Sequence, residues 1–305
     1  MVNKLTKSRL KNLIVYDFWK IIALSVIVCI VLVLIFNGVA KKPSKGQDFR
    51  WVIDDEIFVD NGEIDGVFTD LFNRGAENGG FSYEILKGET VILRSNDESP
   101  KNYVLNGVYA ELGQDDALIL AEETYLLYVN AFNAVSIPKF LDDALDYYAT
   151  FCDESGNLIE QRVYDNFSKT RGKDSRFRKK SEFEEGKKQE LLRIKGIKAN
   201  ATALKNCFEK HPELLDEVRT IENTTISGNF ALRLDKFTSK GEGENKKDIQ
   251  NLFKRAVVSE SGETTYTTQG VYFVIGENSA ENGDLFYENL AVLYTIINIY
   301  TDYLS

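Results

Sequence analysis

His211 is the only histidine in the chain, and this limits the chemistry that the sequence can support. A Ser-His-Asp triad, or a zinc site built on histidine, would have to use it. His211 stands directly before Pro212, where a helix is expected to begin, and no nucleophile elbow, HExxH sequence or pair of CxxC sequences accompanies it. We therefore interpret His211 as a solvent-facing residue at a helix cap. The sequence predicts no catalytic residue, no metal ligand and no cofactor, and it favours a protein that is not an enzyme.

Clustered carboxylates offer a second kind of chemistry, either cation binding or polymer hydrolysis. The acidic runs at 54–56 and 142–143 supply oxygen ligands for a hard cation, but neither has the spacing of a calcium loop. A hydrolase acting on a polymer needs two carboxyl groups about 5 to 10 Å apart in an open groove. Asp142 and Glu122 are candidates for one member of such a pair, and the sequence identifies no second member. A polymer-acting hydrolase stays open as the least favoured alternative.

Residues 21–40 form a stretch of twenty residues without a charge. As a helix rising about 1.5 Å per residue, they would reach about 30 Å, the thickness of one hydrocarbon core. Tyr16, Phe18 and Trp19 precede the stretch as in an interfacial aromatic belt, and the first twenty residues contain five basic residues against one acidic residue. The sequence thus predicts a cytoplasmic basic segment at 1–20 and a single transmembrane anchor at 21–40.

A cleaved signal sequence is the alternative for the same stretch. Gly38, Val39 and Ala40 supply the small residues of a cleavage site, but the apolar run is longer than the core of about 7 to 15 residues that such a signal needs. We therefore expect an uncleaved signal anchor that makes the lipid bilayer a partner of the protein. The prediction is a single-pass protein of the cell membrane, with a cytoplasmic N-terminus and an extracellular C-terminal domain.

The chain beyond the anchor is acidic, with 46 acidic and 32 basic residues after residue 40. Such a charge excludes nucleic acid as a partner of the domain as a whole. About 265 residues are enough for one large domain or two small lobes with a real core. Cys152 and Cys207 do not make a disulfide framework, and whether they pair or stay as buried free thiols is left open.

A short linker at 41–49 leads into a domain at 50–305, whose first part alternates strand and helix patterns. The continuous apolar run Ala117–Ala121 is typical of a fully buried strand, and apolar residues of 64–72 recur at the spacing of a helix face. The order β-α-β-α-β-α predicts an α/β fold with a mainly parallel sheet covered on both faces.

The composition changes in the segment at about 152–225, which we predict to be a charged helical insertion. Between 169 and 198 there are twelve Lys or Arg residues and five acidic ones. Such a surface could contact anionic lipid, a wall polymer or an acidic partner, although a solvated charged face is the favoured explanation. The residues predicted to make this contact are Arg176, Arg178, Lys179 and Lys180.

Three passages of the domain resemble extracellular solute-binding proteins. Residues 115–125, leading to Ser136, Ile137 and Pro138, are similar to a passage of that family in which an aspartate opens a buried strand that turns into a helix at the ligand cleft. The other passages are Phe230–Leu234 and Gly270–Ser279, which look like a returning core strand and a late strand with its turn. With Tyr16-Asp17-Phe18-Trp19-Lys20 before the anchor, the chain resembles uncharacterised single-span proteins of Gram-positive bacteria that carry such a domain outside the cell.

The resemblance and the predicted sheet together place a set of polar residues at a cleft. In a parallel sheet a ligand lies beyond the carboxyl ends of the strands, and hydrogen-bonding and stacking side chains there suit a polar small molecule or peptide. The residues predicted to bind this ligand are Asn61, Glu122, Thr124, Tyr125 and Ser279. For each of them alone, a role in a turn or a helix cap is the favoured explanation.

These observations favour a membrane-anchored binding protein or accessory subunit that presents a ligand or a protein to a membrane partner, such as a transporter or another envelope component. The main alternative is an envelope scaffold that keeps the fold but has a filled cleft. That alternative predicts that other side chains bury the cleft residues. It also predicts that the basic segment forms the surface that contacts a partner.

Overall fold

The computed structural model describes residues 18–39, 48–78, 87–93, 116–131, 135–172, 174, 177–217, 219–221, 224–226, 228–276 and 286–304. The chain divides into two compact units, Met1–Lys42 and Pro43–Ser305, which are described separately. The second unit begins close to the predicted linker at 41–49, and its first strand begins at Asp48.

The first unit contains helix α1, Phe18–Val39, and confirms the predicted apolar helix. Its 22 residues reach about 33 Å at about 1.5 Å per residue, and its described side chains are exposed. Within it, Phe18–Ile35 is long and apolar enough to cross a membrane, and it is the single such helix among the described residues. A signal sequence near an N-terminus has the same length and composition, so the helix is a membrane anchor or a signal sequence.

The second unit is a mixed α/β domain. Its helices are α2 (Asn61–Asn78), α3 (Glu122–Ala131), α4 (Ile137–Ala149), α5 (Glu160–Arg171), α6 (Lys180–Lys210) and α7 (Phe286–Tyr300). Its strands are β1 (Asp48–Asp54), β2 (Ile57–Val59), β3 (Lys87–Leu93), β4 (Ala117–Ala121), β5 (Arg219–Ile221), β6 (Thr224–Ile226), β7 (Ala231–Arg233), β8 (Phe253–Val258), β9 (Thr264–Thr267) and β10 (Val271–Ile275). Short 3-10 turns lie at Pro212–Leu214, Leu234–Lys236, Gly243–Asn245 and Ile249–Asn251.

The central sheet has five strands in the order β3-β1-β4-β10-β7. β1 pairs in parallel with β3 and β4, as the alternation of strands and helices predicted. The prediction of a mainly parallel sheet is wrong, because β10 runs antiparallel to both β4 and β7, and the two smaller sheets are antiparallel. The apolar runs of β4 and β10 signalled burial on both faces, which the structure shows, but burial carries no information about strand direction.

Alternating residues of the central strands enter two separate clusters, one on each face of the sheet. Ile119 and Phe273 point into the larger cluster with helices α2, α4, α6 and α7. Leu118, Leu120 and Val274 point into the smaller one, which α3 covers. Since successive strand side chains face opposite ways, both faces need a cover, and the helices provide it.

Helix α6, which lies in the segment predicted as a charged insertion at about 152–225, belongs to the larger cluster. Its residues Ile194, Ile197 and Leu204 are fully buried against the helices that cover the sheet. The polar and charged residues of α6 lie mainly on its solvent-exposed side. The charged sequence therefore forms a helix that packs into the core. The segment therefore shares one core with the sheet, and it does not stand apart as a separate layer.

The remaining strands form a three-stranded sheet, β2-β8-β9, and the hairpin β5-β6. In the three-stranded sheet, Phe58 and Tyr266 are half exposed and meet edge to face with ring centroids 5.7 Å apart. Cys152 and Cys207 are buried free thiols. Burial raises the pKa of the Cys207 thiol to about 11, which keeps it in the unreactive protonated form at neutral pH.

Candidate functional site

The end of β1 meets the start of α3 at a buried carboxylate, Asp54. Its Oδ1 accepts a hydrogen bond from the Glu56 amide at 3.3 Å, and its Oδ2 accepts one from the Ala121 amide at 3.2 Å. Desolvation raises the pKa of Asp54, although these two amides and a side-chain hydrogen bond with Thr124 oppose the rise. The site therefore ties two strands and a helix together, and the carboxylate is fully engaged by the protein.

Thr124 and Tyr125, both predicted to bind a ligand, lie in the first turn of α3 and are buried. The Tyr125 hydroxyl donates a hydrogen bond to Asp216 Oδ2 at 2.9 Å, and its ring stacks on Tyr272 with centroids 4.5 Å apart. Tyr125 is 2% exposed and Thr124 is 7% exposed. In this structure, both side chains make internal contacts that hold α3 against the sheet.

Glu122, also predicted to bind a ligand, is exposed at the start of α3. Its carboxylate lies beside Gly270, where a Cβ would be 3.5 Å from Glu122 Oε2 and 3.3 Å from an Arg255 guanidinium nitrogen. Gly270 has a φ of +69°, in the left-handed region that favours glycine, so the turn before β10 depends on this residue. Glu122 and Arg255 thus border the same turn.

The other residues of the predicted ligand set are dispersed or fall beyond the described part. Asn61 is exposed at the first position of α2, next to Asp60, whose Oδ1 accepts hydrogen bonds from the amides of Gly62 and Glu63. Ser279 lies outside the described residues. Asn61 therefore sits at the start of α2, which Asp60 caps.

The predicted basic surface is partly described. Arg178, Lys179 and Lys180 are exposed before and at the start of α6, and Arg176 lies outside the described residues. Lys179 has a structural part in the helix start, because its amide donates to Glu182 Oε2 at 3.2 Å. Its ammonium lies 3.4 Å from Glu182 Oε1, a contact that leaves most of the Lys179 side chain in water.

A groove of about 230 Å³ opens between the start of α4, the end of α6 and the segment that follows α6. Its apolar lining is made by Pro138, Leu141, Phe208, Pro212 and Leu215. Its polar lining is made by Asp142, Lys205, Glu209, Glu217 and Asn229. An apolar concavity with a few polar groups is the usual form of a small-ligand site, although such sites are commonly larger, about 300 to 1,000 Å³.

The walls of the groove are held by backbone contacts that also fix the edge of the central sheet. The Ile137 amide at the start of α4 donates to the Asn229 carbonyl at 2.8 Å. Leu215 pairs with Leu232 in an antiparallel bridge, and the Asp216 amide donates to the Ala231 carbonyl at 2.9 Å. The segment that lines the groove therefore runs along β7, and the groove is built on the sheet edge.

An ion pair crosses the polar side of the groove. Lys205 Nζ donates to Asp142 Oδ1 at 2.8 Å, between α6 and α4. This hydrogen bond and the charge of Asp142 raise the pKa of Lys205, because both stabilise the protonated ammonium. The pair holds Asp142, which was one of two candidates for a single member of a hydrolase's carboxyl pair.

His211 lies beside the groove at the junction between α6 and the turn Pro212–Leu214, which agrees with its interpretation as a cap residue. Its amide donates to the Cys207 carbonyl at 2.8 Å, and its Nδ1 lies 3.2 Å from Glu213 Oε1. Its ring stacks on Tyr303 with centroids 4.0 Å apart. Within the described part of the chain, no group of three His, Cys, Asp or Glu residues is placed to hold a metal ion.

A second polar cluster lies deep between α6 and α7. Arg193 donates two hydrogen bonds to Glu190, from Nε at 2.8 Å and from a terminal nitrogen at 2.9 Å, and its other terminal nitrogen is 3.6 Å from Glu288 Oε2. Burial alone would lower the pKa of Arg193, but the two carboxylates raise it well above its usual value. Desolvation raises the pKa of Glu288 to about 7, despite the opposing charge of Arg193.

Comparison with known proteins identifies no relative of the chain. No protein-family model matches the chain, and neither a curated protein nor a solved structure is significantly similar to it. The class of the protein therefore follows from its own architecture, a mixed α/β domain preceded by one long apolar helix.

Sequence reasoning missed both the groove and the buried cluster. Asp142 and Lys205 are 63 positions apart, and Tyr125 and Asp216 are 91 positions apart, so no local pattern joins either pair. Glu190 and Arg193 had a local signal, since their spacing of three places them on one helix face. The exposed pair Glu185 and Lys188 of α6 has the same spacing, so the spacing did not reveal the burial.

Proposed function

We propose that this chain is a membrane-anchored binding protein or accessory subunit without enzymatic activity. In this proposal α1 stays in the cell membrane, the α/β domain lies outside the cytoplasm, and the domain recognises a small ligand or a membrane partner such as a transporter. The groove between α4 and α6 is the single observation that carries the proposal, because it joins an apolar floor to a polar rim. Anchoring raises the local concentration of the domain at the membrane and so favours encounters with a membrane partner.

We place the binding site in this groove and no longer in the cleft that the sequence predicted at the strand ends. Tyr125 and Thr124 make buried internal contacts there, whereas Asp142, Lys205 and Glu209 offer charged groups at an accessible surface. The exposed Glu122 and Asn61 stay candidates for a separate polar contact. The predicted solute-binding fold and the family resemblance belong to the proposal and have no further support from the comparisons.

One observation favours an envelope scaffold as a second candidate function. A scaffold with a filled cleft predicts that the cleft residues are buried by side chains, and Tyr125 is enclosed by Tyr272 and Asp216. In that case the exposed basic residues Arg178, Lys179 and Lys180 would form the contact surface. The two functions differ in whether a small molecule binds the domain.

Thermal unfolding of the full chain in lipid nanodiscs, measured against a panel of small polar ligands and cations, tests the proposal. A ligand at about 100 times its dissociation constant stabilises the folded state by about 2.7 kcal/mol, so a true ligand raises the midpoint with concentration. Glu209→Phe places a bulky side chain at the groove and should abolish that rise. Glu185→Phe, which changes another exposed glutamate of α6 away from the groove, is the matched control and should retain it. If no compound changes the midpoint, the scaffold function is preferred.

A further inference from the structure

The charges around the groove are unbalanced. Three carboxylates line it, on Asp142, Glu209 and Glu217, against one ammonium group, on Lys205. Lys205 Nζ lies 2.8 Å from Asp142 Oδ1, and the charge of Glu209 also contributes to the raised pKa of Lys205. In the described part of the chain, no basic group lies within ion-pair distance of Glu209 or Glu217. The rim therefore has two more carboxylates than ammonium groups.

The helix ends at the groove do not cancel this excess. The start of α4 contributes partial positive charge and the end of α6 contributes partial negative charge, each about half an elementary charge. Because helix ends of opposite sign meet at the same groove, their fields largely offset each other. The side-chain carboxylates then decide which sign of ligand charge is favoured.

The floor of the groove selects for an apolar body of limited size. Leu141, Phe208 and Leu215 are buried side chains whose surfaces close the bottom of the groove, and Pro138 and Pro212 form its rigid flanks. A volume of about 230 Å³ is below the range typical of drug-sized ligands, which suits a single ring or a short branched chain.

We infer that the groove binds a small organic ammonium ion, with its apolar body on Leu141, Phe208 and Leu215 and its charge between Glu209 and Glu217. This inference rests on the proposed function, because it assigns a ligand class to the same groove. Asp142 and Lys205 pair with each other, which leaves the carboxylates of Glu209 and Glu217 to receive the ligand's charge. The carboxylates at the accessible rim select for a positively charged ligand, and the apolar floor provides contact area for its body.

Three probes of nearly equal size and different charge test the assignment: benzylammonium, benzyl alcohol and benzoate. The full chain in nanodiscs, with leucine methyl groups labelled for nuclear magnetic resonance, is titrated with each probe at pH 7 into the millimolar range that fragments of this size require. Methyl signals of Leu141 and Leu215 report on the groove, and those of Leu252, which is buried elsewhere, serve as the internal control.

Benzylammonium should shift the Leu141 and Leu215 signals and bind about 10-fold more tightly than benzoate, with benzyl alcohol between them. Glu209→Gln and Glu217→Gln should each weaken benzylammonium about 3-fold and leave benzyl alcohol unchanged, since an exposed ion pair contributes little more than this. Glu185→Gln is the matched control on α6 and should change none of the three affinities.

Two results would overturn the inference, and they are distinguishable. Equal binding of all three probes, or tighter binding of benzoate, at the same methyl groups refutes the cationic ligand class while keeping the groove as a binding site. No shift at Leu141 or Leu215 with any probe refutes the ligand class and removes the groove itself from the proposed function.

Discussion

The hydroxyl of Tyr125 donates a hydrogen bond to the carboxylate of Asp216 at 2.9 Å, and both side chains are buried. Tyr125 lies in the first turn of α3, which covers the face of the sheet with the smaller cluster, and Asp216 belongs to the segment that lines the groove and runs along β7. The bond therefore connects the covered face of the sheet to the wall of the groove. It also explains why Tyr125 is enclosed in the domain at a position where the sequence predicted a ligand contact.

Tyr125→Phe should destabilise the domain by about 1 to 3 kcal/mol, because it removes a hydrogen-bond donor from a buried carboxylate while keeping the ring on Tyr272. Urea unfolding of the full chain in detergent micelles, followed by circular dichroism, measures the change. Tyr266→Phe removes the hydroxyl of a half-exposed tyrosine and should change stability by less than about 0.5 kcal/mol. Equal effects of the two substitutions would show that the bond to Asp216 contributes nothing specific.

The buried cluster between α6 and α7 should make stability depend on pH. The pKa of Glu288 is about 7 in the folded protein, against an ordinary value of 4.5. Between pH 4.5 and pH 7, Glu288 is therefore protonated in the folded state and ionised in the unfolded state. The unfolded state binds fewer protons in this window, and stability must therefore fall as pH rises from about 4.5 to about 7. At about 1.4 kcal/mol per pKa unit, the loss from this group is on the order of 3 kcal/mol.

Glu288→Gln isolates this contribution, because a neutral amide replaces a carboxyl group that desolvation keeps protonated. The variant should lose less stability than the natural protein between pH 4.5 and 7, as measured by urea unfolding at closely spaced pH values. Glu185→Gln, an exposed change on α6, controls for the general effect of removing a negative charge. Glu190, Arg193 and Arg171 act on position 288 in both proteins, so the two proteins differ only in the group at that position. If their stability changed with pH in parallel, the titration of Glu288 in this window would be refuted.

The sequence predicted the elements of this domain better than their arrangement. Hydrophobic periodicity located the apolar helix, the buried strands β4 and β10 and the terminal helix, because burial leaves a local signature along the chain. Strand direction depends on how distant segments meet, and β10 joins β4 in antiparallel pairing across about 150 residues. No local pattern could encode that choice.

The candidate sites were harder to predict for a related reason. Charged residues on α6 have the same periodic appearance whether they face water or the core, and Arg193 is 2% exposed although it lies in a segment rich in charged residues. The groove requires residues from α4, α6 and the segment after α6 to meet. The polar residues at predicted strand ends were identifiable, but their burial depended on partners such as Asp216, 91 positions away.

The apolar helix α1 should hold the full chain in the membrane. Replacing Ile27 and Val31 with lysine places two charges near the middle of the span, at a cost of about 2.5 to 3.5 kcal/mol each by insertion scales, and should shift the protein out of carbonate-washed membranes. Replacing both with leucine should leave it there. Protein expressed from this sequence should keep residues 1–40 in its membrane-bound form, whereas a mass lower by about forty residues would identify a cleaved signal sequence.

Gly196 should be essential to the packing of α6 on α7. A Cβ at this position would lie 2.4 Å from Cε2 of Tyr287, a fully buried ring, so Gly196→Ala should force the helices apart and cost about 1 to 3 kcal/mol. Gly66 of α2 has no atom within 4 Å of such a Cβ, and Gly66→Ala should instead stabilise the domain by about 0.5 to 1 kcal/mol through helix propensity. Urea unfolding of both variants measures this opposite pair of effects. Stabilisation by Gly196→Ala would mean that Tyr287 can move aside, and that the close approach of α6 and α7 does not depend on the missing side chain.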